Sequence, residues 1–239
     1  MTVEIERHPD LPALAAAAAL RFAAAARAAV AARGEFLAAL SGGRTPQALY
    51  EALSRPPQAA PVPWANTHLF WGDERCVPLD DPRSNVRLAQ AHLLSRVPVP
   101  PRQIHPAPAD APAQEAAARW EAELRGFFAP RQPQAAFPAF DLILLGVGTD
   151  GHVASLFAGD PALAECERWT AAVAARGDPP VARLTLTLPV LLAAREILVL
   201  AAGREKVAVL EAVAAGEPAT RALPVARLAR RPLRCLVSA

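Results

Sequence analysis

Asp150 and His152 stand among three glycines, Gly146, Gly148 and Gly151, directly after an apolar run of strand length at residues 142–145. An imidazole titrates near neutrality, and beside a carboxylate it is suited to general acid–base chemistry. In a parallel α/β sheet, ligands bind outside the carboxyl ends of the strands. Glycines there let the backbone turn sharply and approach a ligand closely. Two blander readings compete. The Gly146-x-Gly148-x-x-Gly151 spacing is also that of a dinucleotide fingerprint. The helix such a fingerprint should open is too short here, because Gly159-Asp160-Pro161 interrupts it. The acidic residues at the right separation, Glu165 and Glu167, precede the next apolar run instead of ending it. The other reading is a structural turn with a solvated acid and histidine, but such a turn does not require this concentration of glycines around them.

Other clusters fall at the ends of separate apolar runs. Ser41, Gly42, Gly43, Arg44 and Thr45 join a strand to a helix start, where free N–H groups and the helix dipole favour an anion. The loop lacks the Gly-Lys-Ser/Thr ending of a Walker motif, and an ordinary capped turn is its bland alternative. Thr45 suits an N-cap and Pro46 the first helical position. Asp73, Glu74 and Arg75 follow another strand; three charges there are not expected to be buried unpaired. They form either a solvated turn, a structural ion pair, or a site in which Arg75 polarises a substrate oxygen and Asp73 orients it or a substrate hydroxyl. Lys206 is the one lysine among 25 basic residues. It falls in the first turn of a helix, where a cation opposes the dipole, so an anionic contact accounts for it better than structure does. Arg183, at the start of a strand after Pro179-Pro180, is a further candidate cation. His8, His68, His92 and His105 show no convergent partners and read as surface or structural residues.

These residues need a scaffold that brings strand ends together. Strands are expected at 3–7, 35–40, 67–71, 141–145, 169–175, 183–188, 196–202 and 234–238. Helices are expected at 9–32, 46–53, from Ser84 or Asn85 to 94, at 113–128, 188–194, and from Gly203 to 215. A short helix-like segment is also expected after His152. Residues 55–63 and 97–112 are proline-rich connections. The alternation of strands and helices predicts one doubly wound α/β domain over residues 1–239, Rossmann-like, with a largely parallel sheet and helices on both faces. The 183–188 strand alternates Leu and Thr, which places it nearer a sheet edge.

Composition narrows the partners. The chain is 53% hydrophobic and 20% charged, enough for a substantial core. A formal charge of +2 implies neither a nucleic acid nor a membrane partner, and a small anion needs only a local basic pocket. The three cysteines, Cys76, Cys166 and Cys235, are far apart and lack zinc spacing, so no metal is expected and a reducing, cytoplasmic setting fits best. Residues 11–20 have the apolarity of a signal core, but Glu4, Glu6 and Asp10 before them carry the wrong charge. Arg21, Arg27 and Arg33 recur at helical intervals and suit an amphipathic surface helix, and no uncharged apolar stretch approaches the ~20 residues of a membrane span. Oligomeric state is open, and a monomer suffices.

Six segments then occur in a telling order: Leu-Ser-Gly-Gly-Arg-Thr-Pro (40–46), Trp-Gly-Asp-Glu-Arg-Cys-Val-Pro (71–78), Ser-Asn (84–85), Leu-Gly-Val-Gly-Thr-Asp-Gly-His-Val-Ala-Ser-Leu-Phe (145–157), Pro-Pro-Val-Ala-Arg-Leu-Thr-Leu-Thr (179–187) and Gly-Arg-Glu-Lys (203–206). This order resembles the 6-phosphogluconolactonases of the glucosamine-6-phosphate isomerase/6-phosphogluconolactonase family, across essentially the whole chain. The resemblance implies a hydrolase without metal or cofactor that opens 6-phospho-D-glucono-1,5-lactone in the pentose phosphate pathway. It implies that His152 activates the attacking water with Asp150 beside it, that Asp73, Arg75 and Asn85 line the sugar, and that Ser41, Gly42, Gly43, Arg44, Thr45, Arg183 and Lys206 surround the phosphate. The developing oxyanion would be met by loop N–H groups around residues 148–151 or by Arg75. Asp150 would either orient His152 or bind sugar. One departure is Asp178, where the family commonly has Lys; Arg176 or Arg44 would have to replace that cation. Amino-sugar phosphate deaminase-isomerases share the Asp-Gly-His turn but continue with Phe-Asn-Glu, where this chain has Ala154-Ser155-Leu156 and no acid until Asp160. A non-catalytic sugar-phosphate sensor would need a partner module, for which the chain has no spare segment.

Overall fold

The computed structural model describes residues 3–55 and 61–239. In chain order the elements are β1 (Val3–His8), α1 (Leu11–Arg33), β2 (Phe36–Leu40), α2 (Arg44–Leu53), β3 (Thr67–Trp71), β4 (Asp73–Arg75), α3 (Asn85–Ala89), α4 (Ala113–Phe128), β5 (Leu142–Gly146), β6 (Thr170–Arg176), β7 (Val181–Leu186), α5 (Leu188–Ala193), β8 (Glu196–Ala202), α6 (Arg204–Ala214), α7 (Pro224–Leu228) and β9 (Leu233–Ser238). Most of the connection expected at 55–63 lies outside the described residues.

Six strands form one parallel sheet in the order β1-β9-β8-β5-β2-β3. β2 and β5 in its middle are apolar at every position because both faces are covered. Along β2, Phe36, Ala38 and Leu40 face α1 and α2, while Leu37 and Ala39 face the opposite core with α4 and α6. Along β5, Leu142 and Leu144 alternate with Ile143 and Leu145 in the same way. This is the doubly wound arrangement the alternation predicts.

α1 starts where the Asp10 carboxylate accepts from Ala13 N at 2.8 Å and ends at Gly34, whose N–H donates to Val30 O. By length and composition alone it is long and apolar enough to cross a membrane, although Arg21 and Arg27 interrupt its apolar run, as expected. Its helical face of Leu14, Ala18, Phe22, Ala26 and Ala29 packs into the core, and Phe22 meets Phe36 edge-on at 5.2 Å.

The second sheet departs from expectation. β4, β7 and β6 pair antiparallel, in that order, as a separate three-stranded sheet. The alternation of residues 183–188 therefore marks this small sheet and not an edge of the large one. Val173, Leu184 and Leu186 pack into the same core as Ile143 and Leu145, and Asp73-Glu74-Arg75 is a strand, not a turn. The segment after His152 is not helical either: residues 153–156 form a tight turn closed by a Val153–Leu156 bridge.

His68 and His105, expected to be without convergent partners, are each other's. Nδ1 of His68 and Nε2 of His105 are 3.0 Å apart, and the His105 ring stacks on Phe70 at 4.4 Å. Burial, with the charges of His68 and Arg131, pushes His105 down to about 4. Burial also lowers His68, against the pull of Glu35. In the unfolded chain both titrate near ~6.5, so between these values the unfolded state binds more protons and stability falls as pH is lowered. The thermal midpoint is expected to decline by several degrees from about pH 7 towards pH 4.5, and less steeply in His105→Gln. Superimposable midpoint–pH curves for variant and parent would rule out this pair as a source of the decline.

Candidate active site

β2 leads through α2 to its neighbour β3 on one side of the sheet, whereas β5 leads to its neighbour β8 on the other. The direction of succession reverses between β2 and β5, and a crevice opens at their carboxyl ends, where open α/β sheets bind ligands. A cavity of about 220 Å³ lies there, lined by residues of the loops after β2 and β5, by β4 and β7, and by the start of α6. A larger cavity of about 580 Å³ lies against α4 and is mostly apolar, with Phe70, Trp120, Leu124 and Phe127 in its wall. Size does not choose between them; convergent polar groups do, and they are in the smaller one.

The loop after β5 presents His152 to the cavity. Gly148 N donates to His152 O at 2.9 Å and Gly151 N to Gly148 O at 3.0 Å, which folds the turn back on itself. A Cβ at Gly148 would collide with the His152 ring and the Asp150 carboxylate, so only glycine fits this approach. Asp150 Oδ1 is 2.5 Å from His152 Nδ1 and also accepts His152 N at 3.2 Å. Burial acts to raise the Asp150 pKa, but the hydrogen bond and charge of His152 outweigh it and hold the carboxyl below its ordinary value. An ionised carboxylate accepts, so Nδ1 donates to it and Nε2 is the ring nitrogen left to take a proton. The imidazole packs against Phe157 at 4.5 Å between ring centroids. Asp150 does not line the cavity; its contact is with His152.

On the second sheet, Arg75 and Arg183 stand directly opposite each other in the β4–β7 register, and both line the cavity. Like charges placed so are mutually destabilising unless an anion is bound between them. Arg75 donates from Nη1 to Arg83 O at 2.8 Å and to Asn85 Oδ1. Asn85 in turn donates from Nδ2 to Asp73 O at 2.8 Å. Arg183 is buried and donates to Arg176 O at 3.2 Å and Pro179 O at 3.0 Å. Lys206 joins them from the first turn of α6.

Ser41, Gly42 and Gly43 form the wall after β2. Tyr50 fixes this corner: its hydroxyl accepts Ser41 N at 3.1 Å and donates to Ser41 O at 2.5 Å. A Cβ at Gly42 would collide with the Asn85 side chain. α2 begins at Arg44 with Gly43 as its N-cap, so Thr45 and Pro46 lie inside the first turn, two positions beyond those expected. Neither Arg44 nor Thr45 lines the cavity.

Of the expected residues, the cavity therefore gathers His152, Arg75, Asp73, Asn85, Arg183, Lys206 and the Ser41–Gly43 loop. It adds Asp178. Arg176 does not replace a missing cation here, because it pairs with Asp160 at 3.0 Å and lies over the Phe157 ring. Two residues escaped sequence reasoning. Glu74 is fully buried and accepts from Arg75 N, Ser84 Oγ, Asn85 N and Val86 N at 2.7 to 2.9 Å; burial raises its pKa against those four donors. It caps α3 and so places Asn85. Ser155, buried, bonds Asp73 at 2.7 Å. A partner so distant in sequence leaves no periodic signal, although Ser155 lies inside the most specific motif of the chain.

The family described as glucosamine-6-phosphate isomerases/6-phosphogluconolactonase matches residues 9–236. A 6-phosphogluconolactonase of Synechocystis is 48% identical over 176 residues, covering 73% of this chain and 69% of that protein. One from Streptomyces coelicolor is 40% identical over 210 residues, covering 86% and 80%. The crystal structure of 6-phosphogluconolactonase from Thermotoga maritima superposes with a TM-score of 0.84 over 100% of both chains, at 29% identity.

Proposed function

The chain belongs to the glucosamine-6-phosphate isomerase/6-phosphogluconolactonase family, and from that premise we propose that it hydrolyses 6-phospho-D-glucono-1,5-lactone to 6-phosphogluconate. The reaction belongs to the oxidative pentose phosphate pathway, in a cytoplasmic setting that the three free cysteines suit. The observation that carries the reading is one imidazole, His152, lining the same small cleft as three cations, Arg75, Arg183 and Lys206.

His152 Nε2 takes a proton from water as the water oxygen bonds to the lactone carbonyl carbon. The negative charge that develops on the carbonyl oxygen is met by Arg75. The N–H groups of Gly148 and Gly151 are engaged within their own turn, which supports Arg75 over these two as the donor. Collapse of the adduct breaks the bond from the carbonyl carbon to the ring oxygen. The imidazolium returns its proton to that oxygen, giving a hydroxyl and a carboxylic acid, which releases its remaining proton to solvent to become the carboxylate. Nothing in this cycle calls for a metal: the imidazole–carboxylate pair supplies the base. Lys206, Arg183 and the Ser41–Gly43 loop hold the phosphate, so the carbonyl meets the water in one orientation.

Proton release from freshly made lactone, above its spontaneous hydrolysis, tests the proposal; a rate equal to the uncatalysed one overturns it. Ammonia release from glucosamine 6-phosphate would instead establish the deaminase-isomerase reading. That reading needs an acid following His152 in the chain, and Asp160, the first one, is bonded to Arg176 and to Ala162 N at 2.9 Å.

Lys206→Ala is expected to raise KM by about 10-fold or more, the worth of a charge-assisted contact, with kcat little changed; an unaltered KM removes Lys206 from the phosphate site. Asp178, exposed at the rim, opposes an anionic substrate. Asp178→Asn is expected to lower KM by about twofold, the modest scale of an exposed charge, and the gain should fade in high salt. A raised KM would show that the carboxylate helps binding.

A further inference from the structure

We propose that Ser155 is a positioning residue, whose hydroxyl fixes the Asp73 carboxylate as an acceptor for a ring hydroxyl of the phosphosugar. The inference rests on the lactonase reading above. Ser155 follows His152 by three residues and is fully buried. It is turned inward by Ala154, which has φ 49°, a left-handed conformation rare for a residue with a Cβ. Its Oγ donates to Asp73 Oδ2 at 2.7 Å. Its N–H donates to Thr185 Oγ1 at 3.3 Å, and Thr185 is the residue opposite Asp73 in the β4–β7 register. One side chain thus ties the loop that carries His152 to the sheet that carries Asp73 and Arg75.

Asp73 lines the cavity although only 5% of it is exposed. Among the described residues its Oδ1 accepts a side-chain hydrogen bond only from Asn85 Nδ2, at 3.3 Å. A carboxylate has about four acceptor positions, so Oδ1 retains capacity for a donor in the cleft. A carboxylate cannot bind the phosphate, but it can accept from a sugar hydroxyl. Anchoring Oδ2 on Ser155 holds Oδ1 at a fixed angle for that contact, ready before the substrate arrives.

The test measures kcat and KM for the lactone, together with the affinities of 6-phosphogluconate and of inorganic phosphate, in Ser155→Ala and Ser155→Cys. For Ser155→Ala we expect KM and the 6-phosphogluconate Kd to rise about tenfold, the worth of one hydrogen bond to a charged group, with kcat nearly unchanged and the Kd of inorganic phosphate unaltered. Ser155→Cys, which keeps the shape but donates weakly, should fall between. An unchanged KM in Ser155→Ala overturns the proposal. So does a parallel loss of inorganic phosphate binding, which would mean that the whole cleft has loosened. Should Ser155→Ala fail to fold, an intermediate KM in Ser155→Cys supports the proposal and a wild-type KM refutes it. If wild-type protein does not hydrolyse the lactone, the lactonase reading fails, and the comparison of 6-phosphogluconate with inorganic phosphate still decides the role of Ser155.

Discussion

His152→Ala is expected to lower kcat at least about 100-fold, the usual contribution of a positioned general base, while KM and the fold change little. The factor corresponds to about 2.7 kcal/mol of barrier. It should appear in kcat because the proposed role of His152 is on the water, whereas the role proposed for Arg183 and Lys206 is to hold the phosphate. The fold should survive because the imidazole is part-exposed and packs mainly on Phe157, so its loss leaves no closed core cavity. Asp150 makes the expectation sharper. Its carboxyl is held below its ordinary value and so remains ionised through neutral pH, keeping Nδ1 protonated and Nε2 basic. Steady-state rates with purified, folded variant settle the matter. Turnover within a few-fold of wild type would mean that water is activated elsewhere.

The parts of this site that were legible in the sequence are those held by local rules. Gly148 and His152 lie four residues apart, and the collision that a Cβ at Gly148 would cause is a local constraint, so the glycine spacing announced a close approach. β2 and β5, apolar at every position, announced a sheet covered on both faces, and the loops after them had to converge at one edge. What was not legible depends on pairings across the chain. Asp73-Glu74-Arg75 reads as a charged turn, because three residues are too few to show a period. Only pairing with β7 makes them a strand, and only that register sets Arg75 against Arg183. Ser155 and Glu74 owe their roles to partners supplied by tertiary packing. Thr45 shows a limit of local reasoning even within one turn: its type suits an N-cap, but Gly43 takes that position with φ 101°, and the hydroxyl residue moves inside the helix, away from the cleft.

The β4–β7 register also leads to the second large effect, expected for Arg75→Ala: a fall in kcat of about 100-fold or more, as on removing one oxyanion donor, with KM within a few-fold of wild type. The guanidinium is held before substrate arrives, because Nη1 is tied to Arg83 O and Asn85 Oδ1 and Asn85 is itself fixed by the buried Glu74. A donor so anchored need not reorganise as charge develops on the carbonyl oxygen, which is where electrostatic stabilisation is most effective. The competing role is phosphate binding, shared with Arg183 across the strand pair. The two roles separate in the kinetics. Loss of a contact made only in the transition state lowers kcat and kcat/KM together, whereas loss of uniform binding raises KM alone. Arg75→Lys provides the second arm, since it keeps the charge but loses the planar fork. As an oxyanion donor it should recover only part of kcat; as a phosphate contact, a point charge should serve nearly as well. A raised KM with unchanged kcat in Arg75→Ala, restored by lysine, would move Arg75 to the phosphate and return the oxyanion to the backbone of the β5 loop.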